Sequence, residues 1–296
     1  MRCADVLGKA LRIQLANLFK EVGNVSLDDI KRNDGLKSNL LTDPYFTLQI
    51  TSEQSFKVFA NPEHICSAIL RDFYYGYERI SSQWESTCLL ANEEKTAWAL
   101  ISAYYCSFFG AIEALRICGN HSLSLTTEEA EAVFTPLGGP YLNKILEKQN
   151  FKGVISPDFK EIGYTSTGTK PHQAAWKQMN ELVLPFVPRS SSAWSDVLKF
   201  SNMCSGKGGW ESPSAIRNRW NYRDSSYFGA LGSNSKSPFI KIINDDKAAS
   251  SWIKSKLSVY DESDSAASIA ALAKLMHLSI KDSYDFGFMT TITANQ

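Results

Sequence analysis

Residues 98–115 read WALISAYYCSFFGAIEAL, and the spacing of their side chains decides the fold class. Trp98, Ile101, Tyr105, Phe108, Ile112 and Leu115 recur at steps of 3, 4, 3, 4 and 3, the period of an α-helix. Ser102, Ala103, Cys106, Ser107, Gly110, Ala111 and Ala114 lie between them. Small residues let a neighbouring backbone come close while large rings fill the gaps, so this helix is expected to be packed over most of its surface. The helical segment runs from about Glu93 to Cys118, where Gly119-Asn120 stops it.

Helical periodicity also dominates on either side. Leu7, Leu11, Leu15, Leu18 and Val22 mark an amphipathic first helix, and Asn61-Pro62 opens another with Ile65, Ile69, Phe73 and Tyr77 on one face. Thr126 to Phe134 reads as a short capped helix with acids in its first turn. Pro171 opens the helix HQAAWKQMNELVL, and further helices are expected over Ala193–Met203, Ala248–Tyr260 and Ser265–Ile280. Extended structure is expected in three places. Between Leu40 and Val58, Tyr45, Thr47, Gln49 and Thr51 alternate with Phe46, Leu48 and Ile50; Phe151–Thr169 suits a small hairpin; Lys236–Ile243 reads as extended. The fold class is therefore mainly α, a helical bundle with small β-hairpin or loop insertions. Residues 1–92 are expected to form an N-terminal helical region packed on a core at 93–230, which carries an insertion at about 120–190. Residues 231–296 supply C-terminal helices to the same domain.

The chain has 296 residues, 44% hydrophobic and 21% charged, with Lys+Arg 31 against Asp+Glu 31. Such a composition excludes a disordered tail, a collagen-like fibre and a coiled-coil rod. Zero formal net charge excludes coating of nucleic acid by bulk charge and leaves room for a local basic patch. The least charged stretch, Thr96–Ile112, falls short of the ~20 apolar residues of a spanning helix, and the first helix is too charged for a signal peptide, so no membrane partner is expected. Cys3, Cys66, Cys88, Cys106, Cys118 and Cys204 form no C-x-x-C pair, which suits buried thiols in a reducing cytoplasm. His64, His121, His172 and His277 are dispersed, so neither a metal nor another cofactor is expected. Ser205-Gly-Lys-Gly-Gly209 lacks the GxxxxGK[ST] pattern of a phosphate loop and reads as a plain flexible loop.

Ser212–Arg223 (SPSAIRNRWNYR) carries the chemistry. Ser212 is a natural N-cap and Pro213 fits the first helical position. Ile216 and Trp220 share one side as an apolar anchor. Arg217 with Asn221, and Asn218 with Tyr222, make two adjacent i,i+4 rows on another side. A guanidinium fork beside amides and a phenol can clamp a phosphate. Lys199 to Lys241 holds seven basic residues and two acids, so Lys207, Arg219 and Arg223 join Asn221 as candidate phosphate contacts. Internal ties between helices are the alternative reading of the same cluster.

The AYYCSFFGAIEALR and RNRWNY segments together resemble the HEPN superfamily, helical domains of bacterial toxins, antiphage defence proteins and RNA-processing enzymes. The resemblance covers roughly Glu93 to Gly229. The family's ribonuclease motif is an arginine, a polar residue, spacers and a histidine. Arg217 and Asn218 match its first two positions, and Tyr222 stands where the histidine would be. A tyrosine, with pKa near 10, does not exchange protons near pH 7 as a histidine does. Arg116 and His121 match the spacing literally, but Gly119-Asn120 ends the helix between them, and the pair is set aside. The resemblance implies a cytoplasmic RNA-directed effector of bacterial defence or a toxin system, either a metal-independent endoribonuclease or an RNA-binding protein. Its expected catalytic residues are Arg217, Asn218 and Tyr222, its expected RNA contacts Asn221, Arg219, Arg223 and Lys207, and its partners RNA and a second protomer or partner protein, with no DNA. A non-catalytic scaffold or sensor subunit of a defence complex is the alternative.

Overall fold

The computed structural model describes residues 3–168, 171–223, 225–259 and 261–291. The chain begins with α1 (Cys3–Val22), α2 (Leu27–Arg32) and α3 (Leu36–Thr42), followed by strands β1 (Thr47–Ser52) and β2 (Ser55–Phe59). Two long helices come next, α4 (Pro62–Asn92) and α5 (Thr96–Ile117), then β3 (Asn120–Ser124), α6 (Thr127–Phe134) and α7 (Leu142–Leu146). β4 (Asn150–Ile155) and β5 (Glu161–Ser166) precede α8 (Pro171–Val183), α9 (Trp194–Ser205) and α10 (Pro213–Asn218). The last helices are α11 (Ala230–Asn244), α12 (Ala248–Ser255) and α13 (Glu262–Tyr284). The protein is mainly α.

Local signals account for many of these boundaries. Thr126 and Glu129 form a reciprocal capping box at the start of α6. Gly119 ends α5 with φ +79°, a conformation that a side chain would strain. Gly206, in the left-handed region, closes α9.

The chain divides into two compact units that are discontinuous in sequence. The first comprises Met1–Leu11, Gly76–Glu113 and His172–Ser283; the second comprises Arg12–Tyr75, Ala114–Pro171 and Tyr284–Gln296. The segments expected at 1–92, 93–230 and 231–296 divide the chain in sequence order, and these units do not follow that order. α1, α4, α5 and α13 each contribute residues to both units, and a division into consecutive blocks cannot represent that.

The second unit holds a five-stranded antiparallel sheet in the order β1-β2-β5-β4-β3. The expected local hairpins are present, but β2 pairs with β5, Val58 opposite Ile162, so they form one sheet and not separate insertions. Stacking of Phe56 on Tyr164 (4.8 Å) and edge contacts of Phe56 with Phe134 and Phe151 explain this long-range pairing: one aromatic cluster is buried only if β2 and β5 meet. His121, set aside above, is buried here with Nδ1 2.8 Å from the Tyr164 hydroxyl. Burial, reinforced by the Arg116 charge, holds its imidazole down to about 3.

In the first unit, α13 is buried on most of its faces; Ala266, Ala267, Ala270, Ala271 and Ala273 are all fully buried. A helix apolar on every side belongs inside. Gly110 of α5 lies against Met276 of α13, where an added Cβ would meet the Met276 Cβ at 2.9 Å. Burial on α5 follows the small residues more closely than the expected large stripe: Ala99, Ala103, Cys106, Ala111 and Ala114 are sealed while Trp98 is 53% exposed. At 22 residues α5 has the length and apolarity of a membrane span, longer than the 17-residue segment expected to be too short, and 72% of its most apolar window is buried inside the protein. Cys66 and Cys106 are fully buried thiols, and burial pushes both up, Cys66 to about 12.

Lys236–Ile243, expected to be extended, lies within α11. Phe239, Ile242 and Ile243 fall on one helical face and are buried, which outweighs the missing N–H of Pro238.

Candidate functional site

All the residues that assemble around Arg217 belong to the first unit. Ser212 caps α10 by accepting from the Ala215 N–H at 3.4 Å, and Pro213 occupies the first turn as expected. Ile216 and Trp220 are fully buried, with Trp220 stacked on Tyr227 at 4.7 Å. This anchor sets the orientation of everything else on the helix; truncation of Trp220 to alanine is worth about 3–5 kcal/mol on general grounds.

After Asn218 the helix widens into a π turn over Arg219–Arg223. The change of winding alters the expected i,i+4 rows. A π turn brings residue i+5 over residue i, and the Arg217 guanidinium accordingly lies 5.7 Å from the Tyr222 ring. Tyr104 and Tyr105 of α5 complete a three-ring cage at 5.2 and 5.5 Å. Arg217 Nη1 donates to Asn218 Oδ1 at 2.9 Å, while the buried Nε has no hydrogen-bond partner among the described residues. No carboxylate of the described residues pairs with this half-buried cation.

The cage also contains a histidine that sequence spacing did not select. His172, at the start of α8, has Nδ1 2.7 Å from the Tyr104 hydroxyl and its ring stacked on Phe108 at 4.1 Å. The same Tyr104 hydroxyl is 3.2 Å from Ser214 Oγ on α10. Burial and the Arg217 charge hold His172 below the usual imidazole range, so it is neutral at pH 7. Burial raises the Tyr104 phenol, which therefore stays protonated as a hydrogen-bond donor. No local signal joins His172 to Arg217, which lie far apart in the chain.

Of the other expected contacts, Arg219 is engaged by carboxylates within the protein. Its guanidinium engages both carboxylate oxygens of Glu211 and donates to Glu262 Oε2 at 3.1 Å and Ser265 Oγ at 3.3 Å. Its charge is already matched, and it ties α10 to the start of α13. Asn221 is half-buried and Tyr222 is 70% exposed. Lys207 is exposed on the glycine-rich connection after α9, where it lines a cavity of about 370 Å³ that Ser214 also lines. The Arg223 side chain lies outside the described residues. Much of the local basic excess is spent internally: Lys199 donates to the carbonyls of Ile253 and Lys254, and Lys236 pairs with Glu94.

Among the described residues no group of three or more His, Cys, Asp or Glu side chains is placed to hold a metal ion. The arrangement defines a class of site: an unpaired guanidinium for an anion, a neutral imidazole able to take a proton, and a phenol and hydroxyl to orient a polar reactant. No protein-family model matches the chain, and neither a curated protein nor a solved structure matches it significantly.

Proposed function

We propose that this protein is an HEPN-like, RNA-directed effector of bacterial defence or a toxin system, acting as a metal-independent endoribonuclease. The observation that carries the reading is the half-buried Arg217, unmatched by any carboxylate of the described residues and caged beside His172, Tyr104 and Ser214. A guanidinium in that setting favours a phosphodiester oxygen, because bidentate hydrogen bonding replaces an absent ion pair. In this reading His172 supplies the proton acceptor that Tyr222, standing at the motif histidine's position in sequence, does not.

In the proposed reaction, His172 accepts the proton of a ribose 2′-hydroxyl. The freed oxygen attacks the adjacent phosphorus, and the P–O5′ bond breaks as the 5′-oxygen takes a proton from water. Arg217 stabilises the charge gathering on the phosphoryl oxygens. Asn218 holds the guanidinium in place, and exposed Tyr222 offers a stacking face to a base. A second protomer or partner protein is part of the proposal, as the resemblance implies.

Purified protein incubated with end-labelled single-stranded RNA in excess EDTA tests the reading. Wild type is expected to cut, and Arg217→Ala and His172→Ala each to lose about 10²-fold or more. Indistinguishable products and binding curves for wild type and Arg217→Ala overturn it. Arg217-dependent binding with no cutting selects the RNA-binding protein over the endoribonuclease.

A further inference from the structure

A cavity of about 370 Å³ separates one face of α8 from the connection between α9 and α10. Gln173, Trp176, Lys177 and Glu181 line it from α8, at helical steps of one face, and Lys207 and Ser214 line it from the other side. Ser214 is shared with the Arg217 site through its contact with Tyr104, so an RNA strand at Arg217 has this cavity beside it.

The charges in the cavity are uncommitted. Among the described residues Lys177, Glu181 and Lys207 form no ion pair, and all three are exposed. Lys177 and Glu181 are four apart with the lysine first, the weaker order for an i,i+4 pair. A carboxylate and two ammonium groups facing one space suit a ligand that carries donors on one edge and acceptors on another. Guanine is such a base: N1–H and the exocyclic amine donate in parallel, and O6 and N7 accept. Adenine reverses the pattern at N1 and at the exocyclic position. The volume admits a purine nucleoside.

We propose that this cavity is a guanine-preferring nucleoside subsite beside the scissile phosphate, with Glu181 accepting from N1–H and the amine while Lys177 and Lys207 donate to O6 and N7. The proposal rests on the RNA-directed reading of Arg217 and names the nucleotide that reading leaves open.

Isothermal titration with GMP, IMP and AMP tests the cavity through the difference between the bases, because all three carry the same phosphate, and binding of a labelled oligouridine tests the Arg217 site. Wild type is expected to bind GMP about tenfold or more tighter than AMP, with IMP between them. Glu181→Gln is expected to bring GMP and AMP within about twofold of each other, leaving oligouridine binding and the melting temperature unchanged. Lys207→Ala is expected to weaken GMP binding, since Lys207 lines the cavity. Equal binding of GMP and AMP by wild type, or a guanine preference that survives Glu181→Gln, overturns the subsite while an Arg217-dependent oligouridine signal leaves the RNA reading intact. A Glu181-dependent guanine preference with no Arg217-dependent RNA binding does the reverse.

Discussion

Replacing Arg219 by alanine separates the structural role of this arginine from the RNA contact its sequence position suggests. Its guanidinium engages Glu211 with both nitrogens and also reaches Glu262 and Ser265. A hydrogen bond to a charged partner contributes about 1.5–3 kcal/mol net, and the paired geometry toward Glu211 is the stronger kind. Both acids keep contact with water, their side chains 30% and 34% exposed, so they recover part of their hydration once the arginine is gone. The expected loss is therefore about 2–3 kcal/mol, below the figure for a fully buried broken pair. For a chain of this size that lowers Tm by about 4–10 °C, readable by circular dichroism at 222 nm. Glu211→Ala should cost a similar amount, and the double variant less than the sum of the two, because the singles share one interaction. Raising the salt concentration should narrow the gap between wild type and variant. RNA binding at a temperature well below the transition should be unaffected. A variant that melts with the wild type yet has lost RNA binding would refute the reasoning and return Arg219 to the ligand.

The pH behaviour of His172 gives a second check. Its lowered pKa means that the unfolded chain takes up the proton first as pH falls, so the stability tied to this residue is present above about 6.5 and lost below it. In Arg217→Gln, an NMR titration of His172 should move upward toward the ordinary imidazole value while remaining below it, since burial persists; an unmoved titration would remove Arg217 from its neighbourhood. Gly76→Ala should destabilise by about 1–3 kcal/mol in urea denaturation, because the new Cβ falls on the carboxylate end of the fully buried Glu113, which must shift within the packed interior. A wild-type midpoint would show that Glu113 shifts freely.

Much of the helical framework was legible locally. The Thr126 capping box, the Gly119 stop, the Ser212-Pro213 start and the Ile216–Trp220 anchor all depend on residues within about four positions of one another, where backbone hydrogen bonding is itself local. The reading failed where two local preferences competed. Lys236–Ile243 read as extended, but burial of Phe239, Ile242 and Ile243 on one face selects the helix. β3 was not foreseen, since His121 and Leu123 are its only buried positions and two alternations make a faint signal. In the site, the π turn was invisible, because the same residues read as a continuous α-helix at a spacing of four.

By itself, then, the sequence determined that the protein is mainly helical, where several of its helices begin, and that an arginine beside an asparagine follows a capped helical start. Only the tertiary structure decided that β2 joins β5, that Glu211 and Glu262 take up Arg219, and that His172 and Tyr104 stand beside Arg217. The physical reason is range: caps and helical faces are set by neighbours along the chain, whereas these pairings exist because burying aromatic and apolar surface drives distant segments together and leaves their polar groups to find partners there.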